Sequence, residues 1–198
     1  MKIRLAALLA CMALSAPLAA QQFDTISFGV DGGYPPFDVL APSGEITGFD
    51  IDIANALCTQ LKAKCVFVKQ PFESMIAALN AHKFDAIIAS LNITDERKKE
   101  VDFTDRYYRS AAQLVARKGS PLLPDAASLK GKTVGVQTGS THEAFAKANW
   151  ANHGVKIVGY ANQDNVYLDL LSGRIDAALQ DNIQAATGFI DTLSLIHI

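Results

Sequence analysis

One phrase occurs twice in this chain, about ninety residues apart, and each time it carries an apolar helix end into a short strand. The first copy is Leu79-Asn80-Ala81-His82-Lys83-Phe84-Asp85-Ala86-Ile87-Ile88-Ala89-Ser90, and the second is Leu171-Ser172-Gly173-Arg174-Ile175-Asp176-Ala177-Ala178-Leu179-Gln180-Asp181. In both, an Asp-Ala pair opens the strand, and the fifth residue after that Asp is polar, Ser90 in one copy and Asp181 in the other. Two α/β units of one pattern would each present a polar group at a strand's carboxyl end, where open α/β sheets bind ligands.

The residues around the two copies extend the pattern. Thr25 to Val30 alternates as a strand, and Asp31-Gly32-Gly33-Tyr34-Pro35-Pro36 sets glycine freedom beside proline restriction in a turn. Phe49, Ile53, Leu57 and Leu61 recur every fourth residue and predict one apolar helix face, with Val66-Phe67-Val68 as the next strand. Pro71 suits a helix start that buries Met75, Ile76 and Leu79, and Asp85 to Ser90 follows as a buried strand. Thr94 is placed to cap a helix from Asp95 to Val101. Tyr107 to Ala116 reads as an extended crossing. A second β-α-β-α-β run starts at Lys132, with strands Thr133 to Val136, Lys156 to Tyr160 and Ile175 to Gln180, and a helix is expected from Asp181 to about Ile190.

Composition narrows the class. The 198 residues, 49% hydrophobic and 19% charged, suit one or two globular domains. Lys2 and Arg4, an apolar run from Leu5 to Leu14 and Pro17-Leu18-Ala19-Ala20 have the layout of a signal peptide cut after Ala20. The alternative is a lipoprotein signal at Leu8-Leu9-Ala10-Cys11. Without Lys2 and Arg4, twenty acidic side chains face sixteen basic ones, a net charge of four negative, and no basic patch for nucleic acid is evident. Export leaves Cys58 and Cys65 as a pair in an oxidising compartment, where a disulfide is expected and two buried thiols are the alternative. His82, His142, His153 and His197 lack metal-ligand spacing, so no metal and no cofactor are expected.

A family resemblance rests on Asp31 to Phe37, Gly48-Phe49-Asp50-Ile51-Asp52, the run from Ala86 to Arg97, Leu129-Lys130-Gly131-Lys132, Gly139-Ser140-Thr141, Tyr160-Ala161-Asn162-Gln163-Asp164 and Asp176 to Asp181. On these residues the chain resembles the periplasmic substrate-binding proteins of polar amino acid ABC importers, nearest the lysine/arginine/ornithine and histidine binders. The resemblance implies an α/β, two-lobed, type II periplasmic binding protein (Venus-flytrap) fold that closes over a free amino acid. It implies residues 1–20 as signal peptide, 21–108 as the first lobe, 109–112 as the crossing hinge and 113–192 as the second lobe. Residues 193–198 look like an in-frame adapter translation on a truncated gene fragment, so the second-lobe exit and the C-terminal part of the first lobe are expected to be missing.

The chemistry of the residues agrees. A zwitterion taken out of water needs a cation for its carboxylate and an anion for its ammonium. Arg97 offers a planar fork for the first and Asp181 a carboxylate for the second. Taken singly, Arg97 reads as a solvated charge and Asp181 as a helix cap. Backbone N–H groups near Asn92 and Thr141 would complete the carboxylate site, as helix starts and turns do for anions. By the resemblance, Asp31, Tyr34 and Phe72 face the ligand side chain, and Ala89, Ser90 and Ser140 join the ligand-binding residues. Ala89 stands where a hydroxyl residue is usual, Asn92 where Ser or Thr is usual, and His142 where Gln is common, while Gln137 adds a polar group at the rim. The expected function is periplasmic capture of a basic L-amino acid, arginine, lysine, ornithine or histidine, by a non-enzymatic monomer that delivers it to ABC permease subunits. The alternatives are the sensing outer domain of a membrane receptor kinase, or a binder of glutamine or an opine.

Overall fold

In the computed structural model, which describes residues 24–190 and 195–197, the repeat becomes two sheets of matching order. The signal segment and half of the 193–198 tail, residues 193, 194 and 198, lie outside the described residues. The first sheet is parallel and ordered β5-β1-β6, from β1 (Thr25–Val30), β5 (Lys64–Lys69) and β6 (Ala86–Ile87). The second contains β7 (Ala112–Arg117), β8 (Thr133–Gln137), β9 (Lys156–Tyr160), β10 (Ala177–Asp181) and β11 (Leu195–His197), ordered β11-β7-β10-β8-β9. Within it β8 lies between β9 and β10 and is parallel to both, as β1 lies between β5 and β6. The two repeat phrases therefore end on the third strand of equivalent units, and β7 enters the second sheet antiparallel to β10.

A small antiparallel sheet of β2 (Gly33–Tyr34), β3 (Asp38–Leu40) and β4 (Ile46–Thr47) leads into α1 (Phe49–Leu61). Gly48 precedes that helix with φ 130°, and a Cβ there would stand 2.3 Å from the Phe37 carbonyl oxygen, so the entry admits only glycine. The predicted face of α1 is corrected here. Phe49, Leu57 and Leu61 are 40%, 50% and 55% exposed, and the helix buries Asp50, Ile51, Ala54 and Cys58 instead. Ile51, Ala54 and Cys58 pack with Phe28, Val30 and Ile88 over the first sheet. Small side chains at positions 54 and 58 let the helix lie close to the sheet, and a polar anchor at Asp50 turns it.

Cys58 and Cys65 form the expected disulfide, joining the end of α1 to β5. Closing so short a loop removes unfolded-state entropy worth about 2.5 kcal/mol. The Cys58→Ser, Cys65→Ser double variant is expected to lose about that much stability in urea unfolding; a loss below about 0.5 kcal/mol would contradict the entropic account.

Past β5, Phe72–Ser74 forms a 3-10 turn after Pro71, and α2 (Met75–Asn80) buries Met75 and Ala78 beside Phe84 and Ala89. The strand expected over Asp85 to Ser90 is a ladder only at Ala86–Ile87, flanked by bonds from Asp85 N–H to the Ser27 carbonyl and from Ile88 N–H to the Gly29 carbonyl. Ser90 then turns out of line at φ 53°. The helix expected from Asp95 to Val101 is reduced to a 3-10 turn at Arg97–Lys99. Thr94 caps it as anticipated, its Oγ1 accepting from Arg97 N–H at 3.2 Å, but this charged segment has no apolar stripe to bury.

In the second unit, α3 (Thr141–Asn149) begins at Ser140, whose Oγ accepts from Glu143 N–H. Glu143 Oε2 in turn accepts from Gly139 N–H at 2.8 Å, closing a capping arrangement around the Gly139-Ser140-Thr141 turn. The helix α4 (Gln163–Ser172) is capped by Asn162 and stopped by Gly173 at φ 79°. After β10, α5 (Asn182–Ala185) continues as a π turn over Ala186–Ile190. The tail set aside as non-native contributes β11, whose backbone pairs with β7.

Candidate functional site

The carboxyl ends of β1, β6, β8 and β10 face one cleft between the two units. From β10 comes Asp181, 7% exposed. It is the N-cap position of α5, yet its side chain makes no capping bond. One carboxylate oxygen accepts from the Tyr34 hydroxyl of the other unit, and the other stands 3.6 Å from His142 Nε2. Burial works against ionisation of Asp181, but the hydrogen bond and charge of His142, with the hydroxyls of Tyr34 and Ser110, hold the carboxyl below the ordinary aspartate value.

Arg97, half-buried, reaches the cleft from its 3-10 turn. Its Nη1 donates to the Asn92 carbonyl at 2.7 Å and its Nη2 to the Gly139 carbonyl, on the opposite unit, at 2.9 Å. Burial lowers its pKa from the usual arginine value. The guanidinium carbon lies 5.8 Å from the Phe72 ring centroid, within cation–π range. Asn92 Nδ2 donates to Thr141 Oγ1 at 3.0 Å, a third bond across the cleft after those of Tyr34 and Arg97. At Gly139, φ 77°, a Cβ would stand 2.9 Å from Glu73 Cα, so glycine is what lets this turn approach the first unit.

A fourth crossing links Gln137 Nε2 to Asp31 Oδ2 at 3.0 Å, both groups buried. Burial raises the Asp31 pKa, opposed by the bond from Gln137 and the charge of Lys69. Ser140 supplies no free hydroxyl to the cleft, because its Oγ donates to the Gln137 carbonyl at 2.7 Å and caps α3. Ala89 sits in the apolar cluster of Met75, Ala78 and Phe84. Next to it, Ser90 gives both its N–H and its Oγ–H to Asp50 Oδ2, at 2.9 and 3.1 Å. A cavity of about 480 Å³ extends from Ser90, Asn92 and Asp181 along β6 and the 101–110 segment.

The structure thus brings eleven of the anticipated residues to the cleft walls or their immediate supports, and Ala89 both packs in the apolar cluster and lines the cavity beside Ser90. Residue reading missed Asp50, Asp38 and Tyr107. Asp50 is fully buried and also accepts from the Tyr107 hydroxyl at 2.9 Å; the predicted apolar face of α1 did not include it. Asp38 is fully buried too, with Oδ1 accepting from Gly32 N–H at 2.8 Å and Oδ2 lacking a hydrogen-bond partner. Burial and the neighbouring Asp31 and Asp50 carboxyls push the Asp38 pKa up to about 8. Among the described residues, no group of three or more His, Cys, Asp or Glu side chains is placed to hold a metal, and no helix is long and apolar enough to cross a membrane.

Residues 26–187 match the model of the bacterial extracellular solute-binding proteins, family 3. The chain is 48% identical over 167 residues to the lysine/arginine/ornithine-binding periplasmic protein of Escherichia coli K12, an alignment covering 84% of this chain and 64% of that protein. It is 42% identical over 191 residues to the L-arginine-binding protein of Pseudomonas aeruginosa, covering 96% of this chain and 73% of that one. Among solved structures, an ancestral arginine-binding protein bound to arginine superposes with a TM-score of 0.85 at 35% identity, over 90% of this chain and 80% of that one. The chain therefore spans just under two thirds of the first of these relatives and has the type II two-lobed fold of its structural neighbours. It belongs to the bacterial extracellular solute-binding proteins of family 3.

Proposed function

We propose that this protein is a periplasmic receptor that captures a basic L-amino acid, arginine, lysine or ornithine and with them histidine, and presents it to the permease of an ABC importer. One observation carries the reading: a buried Asp181 and a half-buried Arg97 face one cleft from opposite units. Arg97 receives the ligand carboxylate, exchanging the Asn92 and Gly139 carbonyls for a charged acceptor, and charge-assisted bonds of that kind contribute about 1.5–3 kcal/mol each. Asp181 receives the ammonium. Asp31 takes the cationic end group, with the Tyr34 and Phe72 rings along the stem.

Because the two charges lie on different lobes, residues 21–108 and 113–192, the bound zwitterion bridges them and favours the closed form over the open one. Residues 109–112 serve as the hinge. Ser110 and Ala111 already bond to Asn182 there. Binding without catalysis is the supported activity, as the named relatives are binding proteins. The basic start and apolar run of residues 1–20 support export to the periplasm.

A thermal-unfolding screen against free amino acids tests the proposal. A ligand at 100 times its Kd adds about 2.7 kcal/mol of stability. Arginine, lysine or ornithine is expected to raise Tm by several degrees, while glutamate leaves it unchanged. A rise with glutamate and none with any basic amino acid would refute the assignment.

A further inference from the structure

Asp50 lies beside the cleft, contacts none of its charged groups directly, and is nonetheless built as a clamp. It stands in the first turn of α1, where the helix dipole favours a negative charge. Its Oδ2 holds the N–H and Oγ–H of Ser90, and its Oδ1 holds the hydroxyl of Tyr107, on the segment leading into β7. Tyr107 also stacks on Phe49 and packs edge-on to Tyr108, which stacks on Phe37. Ser90 has φ 53°, a conformation that L side chains other than Asn and Asp rarely hold without outside support. It comes at the end of the first repeat phrase, the place occupied by Asp181 in the second.

We infer that Asp50 is a positioning residue for ligand capture: it holds Ser90 in the left-handed conformation at the cleft wall and ties that wall to the crossing segment through Tyr107. The inference rests on the proposed capture of a basic amino acid. Its consequence is that affinity depends on a carboxylate the ligand does not touch. Asn at position 50 keeps the shape but replaces an acceptor oxygen with a donor, so it cannot receive three hydrogen bonds. Glycine at position 90 reaches φ 53° without help.

The test is a double-variant cycle read by arginine affinity in calorimetric titration of the whole chain: wild type, Asp50→Asn, Ser90→Gly and both together. Asp50→Asn is expected to weaken binding tenfold or more, and the same substitution is expected to cost less than about threefold in the Ser90→Gly background. Equal losses in the two backgrounds, or no loss in the first, would overturn the inference while leaving capture of the amino acid intact. If Asp50→Asn does not fold, Ser90→Gly is compared with Ser90→Ala. Both lack the hydroxyl, and the clamp account expects Gly to bind about fivefold more tightly than Ala, since only Ala has to be forced into the left-handed region; equal affinities would refute it. Absence of binding of arginine, lysine and ornithine by the wild type would remove the functional reading itself and the inference with it.

Discussion

Asp181→Ala and Arg97→Ala are each expected to weaken arginine binding by at least about 100-fold, because truncating one partner of a desolvated charge pair leaves the other buried without compensation, at a cost of about 2–5 kcal/mol. The two losses arise at opposite ends of the ligand. Asp181→Ala strips the ammonium of its counter-charge and frees Tyr34 and His142, which in the structure both turn toward that carboxylate. Arg97→Ala removes the guanidinium bond between the units, to the Gly139 carbonyl, and leaves the ligand carboxylate to neutral donors. Calorimetric titration measures the affinity, and thermal unfolding of each variant shows whether the fold survives. A loss below about fivefold in either variant, with the fold intact, would contradict the assigned role.

Asp38→Asn is expected to stabilise the protein at pH 8 and to change little at pH 4. With its pKa raised to about 8 by burial and by Asp31 and Asp50, Asp38 stays protonated in the folded chain where the unfolded chain has already lost the proton. Below the ordinary aspartate range both states hold the proton. Between that range and about pH 8, unfolding releases it, so stability falls as pH rises through this window and levels off above it. At about 1.4 kcal/mol per unit, the cost reaches on the order of 5 kcal/mol by pH 8. Asparagine keeps an acceptor for Gly32 N–H and carries no charge. Urea unfolding of wild type and variant at several pH values reads the difference between them, in which the parallel contributions of Asp31 and Asp50 cancel to first order. A stability difference that does not grow with pH would show that Asp38 ionises in place.

The arrangement of strands was legible because a repeated phrase has a repeated fold: in each unit the first strand is central and the phrase supplies the third. The site was legible to the same extent, since Asp181 ends β10, Ser90 follows the end of β6 by three residues, and Arg97 and Thr141 follow local caps. Directions of side chains were not. Phe49, Ile53, Leu57 and Leu61 make the more apolar stripe on α1, yet the helix packs by Ile51, Ala54 and Cys58, since a buried carboxylate at Asp50 fixes its rotation by three hydrogen bonds. Periodicity weighs hydrophobic area and is blind to such a bond. Tertiary contacts decided Arg97 as well: its segment reads as a solvated charged helix, but the Asn92 and Gly139 carbonyls draw it into the cleft and the helix shortens to a single turn.

The central claim, that the cleft holds a zwitterion by both of its charges, is tested most directly by titrating L-arginine and agmatine into the same protein preparation. Agmatine keeps the guanidinium and the stem and lacks the carboxylate that Arg97 would hold. The account predicts saturable binding of one arginine per chain and a loss of at least about 100-fold for agmatine. Agmatine binding as tightly as arginine would contradict it, placing recognition in the guanidinium alone and leaving Arg97 with no ligand charge to meet.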